Sequence, residues 1–353
     1  MVATVISLFN HKGGVSKTTT AFNLGWMIAR KNKNVLLVDC DPQCNLTGMV
    51  LGLEDLENAD SIQGTKGGRP MNMREGLAPA FESRPALIQA VDCPQVPGND
   101  RLWLMPGHIG LAEYEVTLGI AQELSGSLVT LRNLPGSLRY LIDKTAEAYS
   151  IDIVLVDMSP SLGAVNKNLL ATSNLFLVPM HPDYFSTMAI RSLTGVLPKW
   201  KAWASSASQM DTLKDAEYPF PQSNPRFLGH VIQKYRPRGG YPSKAFQGWI
   251  NQLEVSIADT FIPALKACGL MLEDAIYEAA GYDPRQPILQ MADFNSLIAR
   301  SQEHQVPIFE LTPEQLEQVG SVLASTQESQ RQFAKLFDMA ADRVIRVVDA
   351  ISA

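Results

Sequence analysis

Two lysines, Lys12 and Lys17, bracket Gly13-Gly14-Val15-Ser16, and three threonines follow, Thr18 to Thr20. The apolar run Val2-Ala3-Thr4-Val5-Ile6-Ser7-Leu8-Phe9 leads directly into them. A strand that runs into glycines and then Lys-Thr aims a row of backbone N–H groups and a helix N-terminus at phosphates. In such a loop Lys17 reaches the β- and γ-phosphates of a nucleotide and the Thr18 hydroxyl holds Mg²⁺. Lys12 is an addition, because an ordinary phosphate loop has no need of a cation ahead of its glycines.

Carboxylates recur downstream. Asp39 and Asp41 stand in Asp39-Cys40-Asp41-Pro42-Gln43, after the apolar run Val35 to Val38, and Asp157 closes Ile151-Asp152-Ile153-Val154-Leu155-Val156. In an open parallel sheet the carboxyl ends of the strands face the ligand crevice. Carboxylates there can hold the water ligands of Mg²⁺ or orient an attacking water. One aspartate after a strand is often only a turn former; three in this order behind a phosphate loop are more specific.

The elements that must position these groups can be read from periodicity. Residues 2–9, 35–39, 102–105, 151–157, 175–179 and 227–232 read as buried strands. Helical patterns fill residues 17–30 and 127–149, and another fits Met71 to Glu82. Continuously apolar strands alternating with helices predict an α/β fold, a mainly parallel central sheet with helices on both faces. Residues 54–100 lose periodicity and read as a surface insertion. From Thr312 the chain reads as helical, with Thr312 as cap, Pro313 at the first position, and a stripe through Val322, Thr326, Phe333, Phe337, Ala340, Val344, Val348 and Ile351. The stripe suits either a helix docked on the sheet or an amphipathic membrane tail, although mixed charge on the polar face argues against the tail.

Bulk composition narrows the class. The 353 residues are 46% hydrophobic, as for a globular core, with no apolar run near the length of a spanning helix and nothing like a signal peptide after Met1. Four cysteines are sparse for this length and fit a reducing cytosol; Cys40 and Cys44 lack a second ligand pair for a metal. A net charge of -6 argues mildly against a dedicated nucleic-acid domain. Yet no acidic residue lies between Glu217 and Glu254, and Arg226, Lys234, Arg236, Arg238 and Lys244 fall in that window among aromatics.

Lys12-Gly13-Gly14-Val15-Ser16-Lys17-Thr18-Thr19, Asp39-Cys40-Asp41-Pro42-Gln43 and Val154-Leu155-Val156-Asp157 with Pro160-Ser161-Leu162-Gly163 together resemble the ParA/MinD family of deviant Walker-type ATPases. Asn45, Pro106-Gly107 ahead of Leu111-Ala112-Glu113, and Val178-Pro179-Met180-His181-Pro182-Asp183-Tyr184-Phe185 are similar to the ParA branch. The likeness is good over roughly residues 1–190, loose over 226–310, and poor over 54–100 and 199–225. It implies a P-loop NTPase fold and one domain over 1–353, with surface insertions near 54–100 and 199–225 and a C-terminal helical segment 312–353. Ser16 departs from the glycine often found before the second lysine and would crowd the loop if its φ were positive; little damage is expected, because the family tolerates other residues there. The chain begins at its first strand, so operator binding through an N-terminal helix-turn-helix extension is not expected.

What the resemblance implies residue by residue is as follows. Lys12 is the signature lysine that reaches across a dimer interface to the partner's nucleotide, a cation in trans. Gly13, Gly14, Val15, Ser16, Lys17, Thr18 and Thr19 cradle ATP. Asp41 positions the hydrolytic water, and Asp39 and Asp157 serve the outer shell of Mg²⁺ beside Thr18. Gln233 and Pro263 stand near adenine-side positions. The family points to an ATP-sandwich homodimer in the cytoplasm, nucleoid-associated when bound to DNA without sequence preference, and to a ParB-like partner that stimulates hydrolysis. Arg191, Lys199, Lys201, Lys234, Arg236, Arg238 and Lys244 are candidate DNA phosphate contacts, or else a solvated basic face. Two rivals keep the ATPase: a switch for defence, secretion or organelle positioning that acts through a protein partner, and a MinD-like membrane-cycling enzyme. A reductase-type ATPase would need paired cysteines at the dimer face, which the spacing does not offer.

Overall fold

The computed structural model describes residues 2–52, 64–124, 129–235, 237–238, 241–294 and 296–352. Seven strands form the central sheet: β1 (Thr4–Leu8), β2 (Val35–Cys40), β3 (Leu102–Met105), β4 (Ile153–Met158), β5 (Leu175–Met180), β6 (Arg226–Tyr235) and β7 (Leu289–Ala292). Their order is β7-β6-β5-β1-β4-β2-β3, and every pairing is parallel. Successive side chains serve opposite faces, as the pleat requires. In β2, Leu36 and Val38 enter one core while Val35 and Leu37 enter the other. Both faces are therefore apolar, which explains the unbroken hydrophobic runs and bears out the expected α/β class.

The helices form the two outer layers. On one face lie α1 (Lys17–Arg30), α2 (Asn45–Leu51), α10 (Asp274–Ala280), α11 (Leu297–His304) and α12 (Gly320–Ser352). On the other lie α3 (Met73–Phe81), α4 (Leu111–Leu124), α5 (Leu134–Ala148), α6 (Ala164–Thr172), α7 (Tyr184–Ala207), α8 (Lys244–Ser256) and α9 (Ile262–Ala267).

Three expectations are modified. The described part of 54–100 is not a surface appendage: Met73 and Leu77 of α3, with Ile88, Val91 and Val96 beyond it, are fully buried. An irregular segment with prolines can still fill a helical layer when its few large side chains point inward. Likewise 199–225 contributes Trp200, Leu213 and Phe220 to the interior. The seventh strand, β7, lies beyond the six that periodicity marks, because its four residues follow Pro287 and carry no long apolar run.

The C-terminal segment is two helices, not one. Thr312 makes a capping box with Gln315 over the single turn Pro313–Leu316. Glu317 then adopts a left-handed φ of 51°, which ends that turn, and α12 begins at Gly320, itself at φ 62°. In α12, Phe333, Phe337, Ala340, Val344 and Val348 are buried, whereas Val322 and Ile351 overhang into solvent. The stripe docks α12 on α1 and α10. Lys31 pairs with Asp338 at 2.6 Å and Asp342 at 2.7 Å, and Lys33 with Asp349 at 2.8 Å. Such exposed pairs contribute about 0–1 kcal/mol each, against about 2 kcal/mol for each large buried side chain, so packing holds this helix.

Candidate functional site

The loop from β1 to α1 lies where the carboxyl ends of β1, β2, β4 and β5 converge. Asn10, fully buried, shapes it: its Nδ2 donates to Pro179 O at 2.8 Å, and its Oδ1 accepts from the Lys12 N–H at 3.0 Å. Gly14 and Ser16 have φ of 72° and 58°, so the loop turns through two left-handed residues before α1. For Gly14 this is costless; for Ser16 it carries left-handed strain of about 1 kcal/mol. The positive φ on which crowding at Ser16 depended is therefore present, and its Oγ is buried without a hydrogen-bond partner.

Lys17 opens α1 and is buried, its Nζ donating to Asn10 O at 3.1 Å. Burial lowers its pKa, opposed by Asp157 and Asp41. Thr18 Oγ1 donates to Asp157 Oδ2 at 2.6 Å. Asp157 of β4 stands beside Asp39 of β2 in register. Burial, then the neighbouring Asp39 charge, pushes Asp157 up to about 8, with the Thr18 hydroxyl and Lys17 opposing. Asp39 is raised to about 6 by burial, against hydrogen bonds from Thr47 and the Asp41 N–H. Thr47 of α2 grips Asp39 Oδ2 through its N–H at 2.8 Å and its hydroxyl at 2.7 Å, and its Oγ1 accepts from the Gly107 N–H at 2.9 Å. Gly107 approaches so closely that a Cβ there would sit 3.0 Å from the Asp39 carboxyl carbon. Asp41 lies at the same rim, its Oδ1 accepting from the Gln43 N–H at 3.0 Å.

These residues fit a phosphate-bound divalent cation. Asp157 Oδ1 is buried with no partner, a carboxylate oxygen left without a donor. Two adjacent buried carboxylates and a hydroxyl make a hard-oxygen set suited to Mg²⁺ and its waters. Among the described residues no group of three His, Cys, Asp or Glu converges as a self-sufficient metal centre. A cation here would therefore need phosphate and water oxygens to complete its shell.

Lys12 does not extend into solvent. Its Nζ donates to Asp183 Oδ1 at 2.6 Å and to Ser186 Oγ at 3.1 Å, and it lies 5.9 Å from the centre of the Phe185 ring. Asp183 also caps α7 by accepting from the Ser186 N–H at 2.8 Å. Burial raises its pKa, but Lys12 and that amide outweigh burial and hold it below the usual carboxylate value. Val15 and Thr19 are buried beneath the loop, and Gly13 packs against Pro160.

Not every expected residue joins the site. Gln233 of β6 is buried behind the loop: its Nε2 donates to Thr20 Oγ1 at 2.6 Å and to Val15 O at 3.3 Å. It braces the loop rather than lining an open space for a base. Pro263 is exposed in α9, which leads to the residues beside Phe227 at the start of β6, the opposite end of the sheet. The descent of the chain from α8 to α9 carries it away from the loop. Of the basic candidates, Arg191 and Lys199 are exposed on α7 and Lys244 at the start of α8. Lys201 is half-buried and donates to Asn224 Oδ1. Arg236 lies outside the described residues, as do the side chains of Lys234 and Arg238.

Asn10, Thr47, Asp183 and Ser186 went unassigned in the sequence. Asn10 follows a strand directly, and Asp183-x-x-Ser186 has the form of a helix N-cap, but nothing local reveals what either holds.

A family model described as an AAA domain matches residues 3–206. An uncharacterised protein of Methanocaldococcus jannaschii is 28% identical over 69% of this chain and 78% of its own. The chromosome-partitioning ATPase Soj of Thermus thermophilus is 30% identical over 56% of this chain, and the match spans 62% of Soj. Among solved structures, pNOB8 ParA bound to nonspecific DNA superposes with a TM-score of 0.56, at 19% identity, over 99% of both chains. At that identity the likeness is one of fold.

Proposed function

Because this chain belongs to the ParA/MinD family of P-loop ATPases, we propose that it is an ATP-dependent dimerising ATPase that partitions or positions DNA or another cargo. The observation that carries the reading is the contact of Thr18 with Asp157, whose second oxygen is orphaned beside Asp39 at the mouth of the loop. Mg²⁺ held there would offset charge on the β- and γ-phosphates. Lys17 and the backbone amides of Gly13 to Thr19 bind the phosphates. Asp41 orients the attacking water. Lys12, once it leaves Asp183, supplies a cation to the phosphates of a second copy. The ATP-bound dimer holds DNA without sequence preference, through Arg191, Lys199 and Lys244 and the basic segment that carries Lys234, Arg236 and Arg238. A ParB-like partner stimulates hydrolysis and release.

The test is binding of a fluorescent ATP analogue with and without Mg²⁺, together with light scattering for mass. Mg²⁺-dependent binding with doubling of mass is expected. A nucleotide-free monomer at millimolar Mg·ATP overturns the reading.

A second reading keeps the ATPase and replaces DNA by a protein partner. Lys201 is engaged with Asn224, and Lys199 lies down α7, away from the loop. The basic face is thus less concentrated than the sequence suggested. Loss of DNA retention at about 0.1 M salt, with dimerisation intact, would favour this reading. The membrane-cycling reading is less favoured: the apolar stripe of α12 is occupied by α1 and α10, and among the described residues no helix is long and apolar enough to cross a membrane.

A further inference from the structure

Helix α6 starts without a cap of its own. Gly163 stands at its N-cap, and no acidic residue lies in its first turn. The missing acceptor comes from α4. The Glu115 carboxylate accepts from the Ala164 N–H through Oε1 and from the Val165 N–H through Oε2, the latter at 3.1 Å. A Cβ on Gly163 would collide with Glu115 Oε1, so this close approach requires glycine. Further along the same face of α4, Gly119 passes close to Ala164, and Gln122 Nε2 donates to Ala164 O at 2.8 Å. Residues 115, 119 and 122 thus form one helical stripe aimed at the first turn of α6. That turn in its turn holds the loop that leaves Asp157. Asn166, fully buried, donates through Nδ2 to Ser159 O at 2.8 Å and to Ser161 O at 2.9 Å. Between those two, Pro160 rests against Gly13 of the phosphate loop. One continuous series of contacts therefore runs from Glu115 through the start of α6 and Asn166 to the phosphate loop.

We propose that Glu115 is a positioning residue for ATP hydrolysis: it fixes the loop 159–163, just beyond Asp157, against the phosphate loop. The inference rests on the ATPase reading above. A carboxylate suits this place twice over. Its charge meets the positive end of the α6 dipole, and its two oxygens satisfy two amides at once. A cap supplied from within α6 would satisfy such amides as well, yet it would leave the loop untied from α4. That difference separates positioning from capping. Glu115 acts through α6 and not at the nucleotide itself, so its effect falls on the rate of the chemical step rather than on the grip of Lys17 and the loop amides.

The test compares wild type, Glu115→Ala, and Glu115→Ala combined with Gly163→Asp. The extended backbone of Gly163, at φ -77° and ψ -179°, accepts an aspartate that caps α6 from its own N-cap position. Loss of the Glu115 side chain clears the space this aspartate needs. Glu115→Ala should bind Mg·ATP within about twofold of wild type and release phosphate in a single turnover roughly tenfold more slowly. Its melting temperature should fall, because two amides of α6 lose their acceptor. The double variant should regain the melting temperature and keep the slow turnover. Recovery of both would reduce Glu115 to a helix cap and overturn the proposal, as would a wild-type rate in Glu115→Ala. The two readings fail differently. A wild type that neither binds nor hydrolyses Mg·ATP removes the ATPase reading and this role with it, whereas a hydrolysing wild type matched by both variants removes the role of Glu115 alone.

Discussion

Lys12 Nζ lies 2.6 Å from Asp183 Oδ1, so the cation that sets this loop apart is held within its own subunit by the residue that caps α7. Lys12 cannot serve Asp183 and a neighbouring subunit at once. Asp183→Asn keeps the cap, because asparagine caps as well as aspartate, and removes the charge. With a half-buried pair worth about 1 kcal/mol, ATP-dependent dimerisation should shift to roughly fivefold lower protein concentration, read by analytical ultracentrifugation. An unmoved midpoint would show that the pair does not restrain the lysine.

Lys17→Ala should abolish nucleotide binding without lowering the melting temperature of the free protein, since a buried ammonium with a lowered pKa contributes little to folding. Asp41→Ala should bind nucleotide, hydrolyse it slowly and accumulate as dimer. Single-turnover phosphate release measures the second; a fast Asp41→Ala enzyme would place the water under another group.

Asp39 and Asp157, raised to about 6 and about 8, bind protons in the folded state that an unfolded chain releases near pH 4. Between those limits the native protein holds more protons, so stability falls as pH rises from about pH 4 to 8. Thermal melts of the free protein should therefore be higher at pH 5.5 than at 8.5, and Asp157→Asn should flatten the slope. A slope of opposite sign would mean that both carboxylates are ionised when buried.

Ser16→Gly relieves a left-handed residue at φ 58° and removes an unpartnered hydroxyl. Stability should rise by up to about 1 kcal/mol, because the strain relieved exceeds the added freedom of the unfolded chain. Chemical denaturation decides it; a loss would show that the hydroxyl is bonded within the loop.

Phe337→Ala empties a fully buried position on α12, where the ring meets Phe309, and should cost about 3–5 kcal/mol by urea unfolding. Val322→Ala, on the overhanging first turns, should cost less than about 0.5 kcal/mol.

What could be read from the sequence was local. The phosphate loop follows β1, Asp39 and Asp157 are next to last in β2 and β4, and Asp41 is the first residue past β2, so adjacency in the chain already placed them at the sheet's carboxyl edge. The partner of Lys12 was not legible, because Asp183 is 171 residues away and joins it only through the parallel order of β1 and β5. Gln233, given an adenine-side position by the resemblance, is buried with its amide turned to Thr20 and Val15, contacts that the chain order does not record. Pro263 failed because sequence order after β6 does not record that α8 and α9 descend the sheet. Residues 83–100 misled because their inward side chains, Ile88, Val91 and Val96, sit on irregular backbone, where no period exists to betray them.

Helix α1 starts at the phosphate loop and finishes with Lys31 gripped by Asp338 and Asp342. Its two ends answer to different masters, the ligand and the last helix, yet one rigid rod joins them. Loading the crevice should therefore slow hydrogen exchange of amides in α12, and shearing α12 away should loosen the crevice in return.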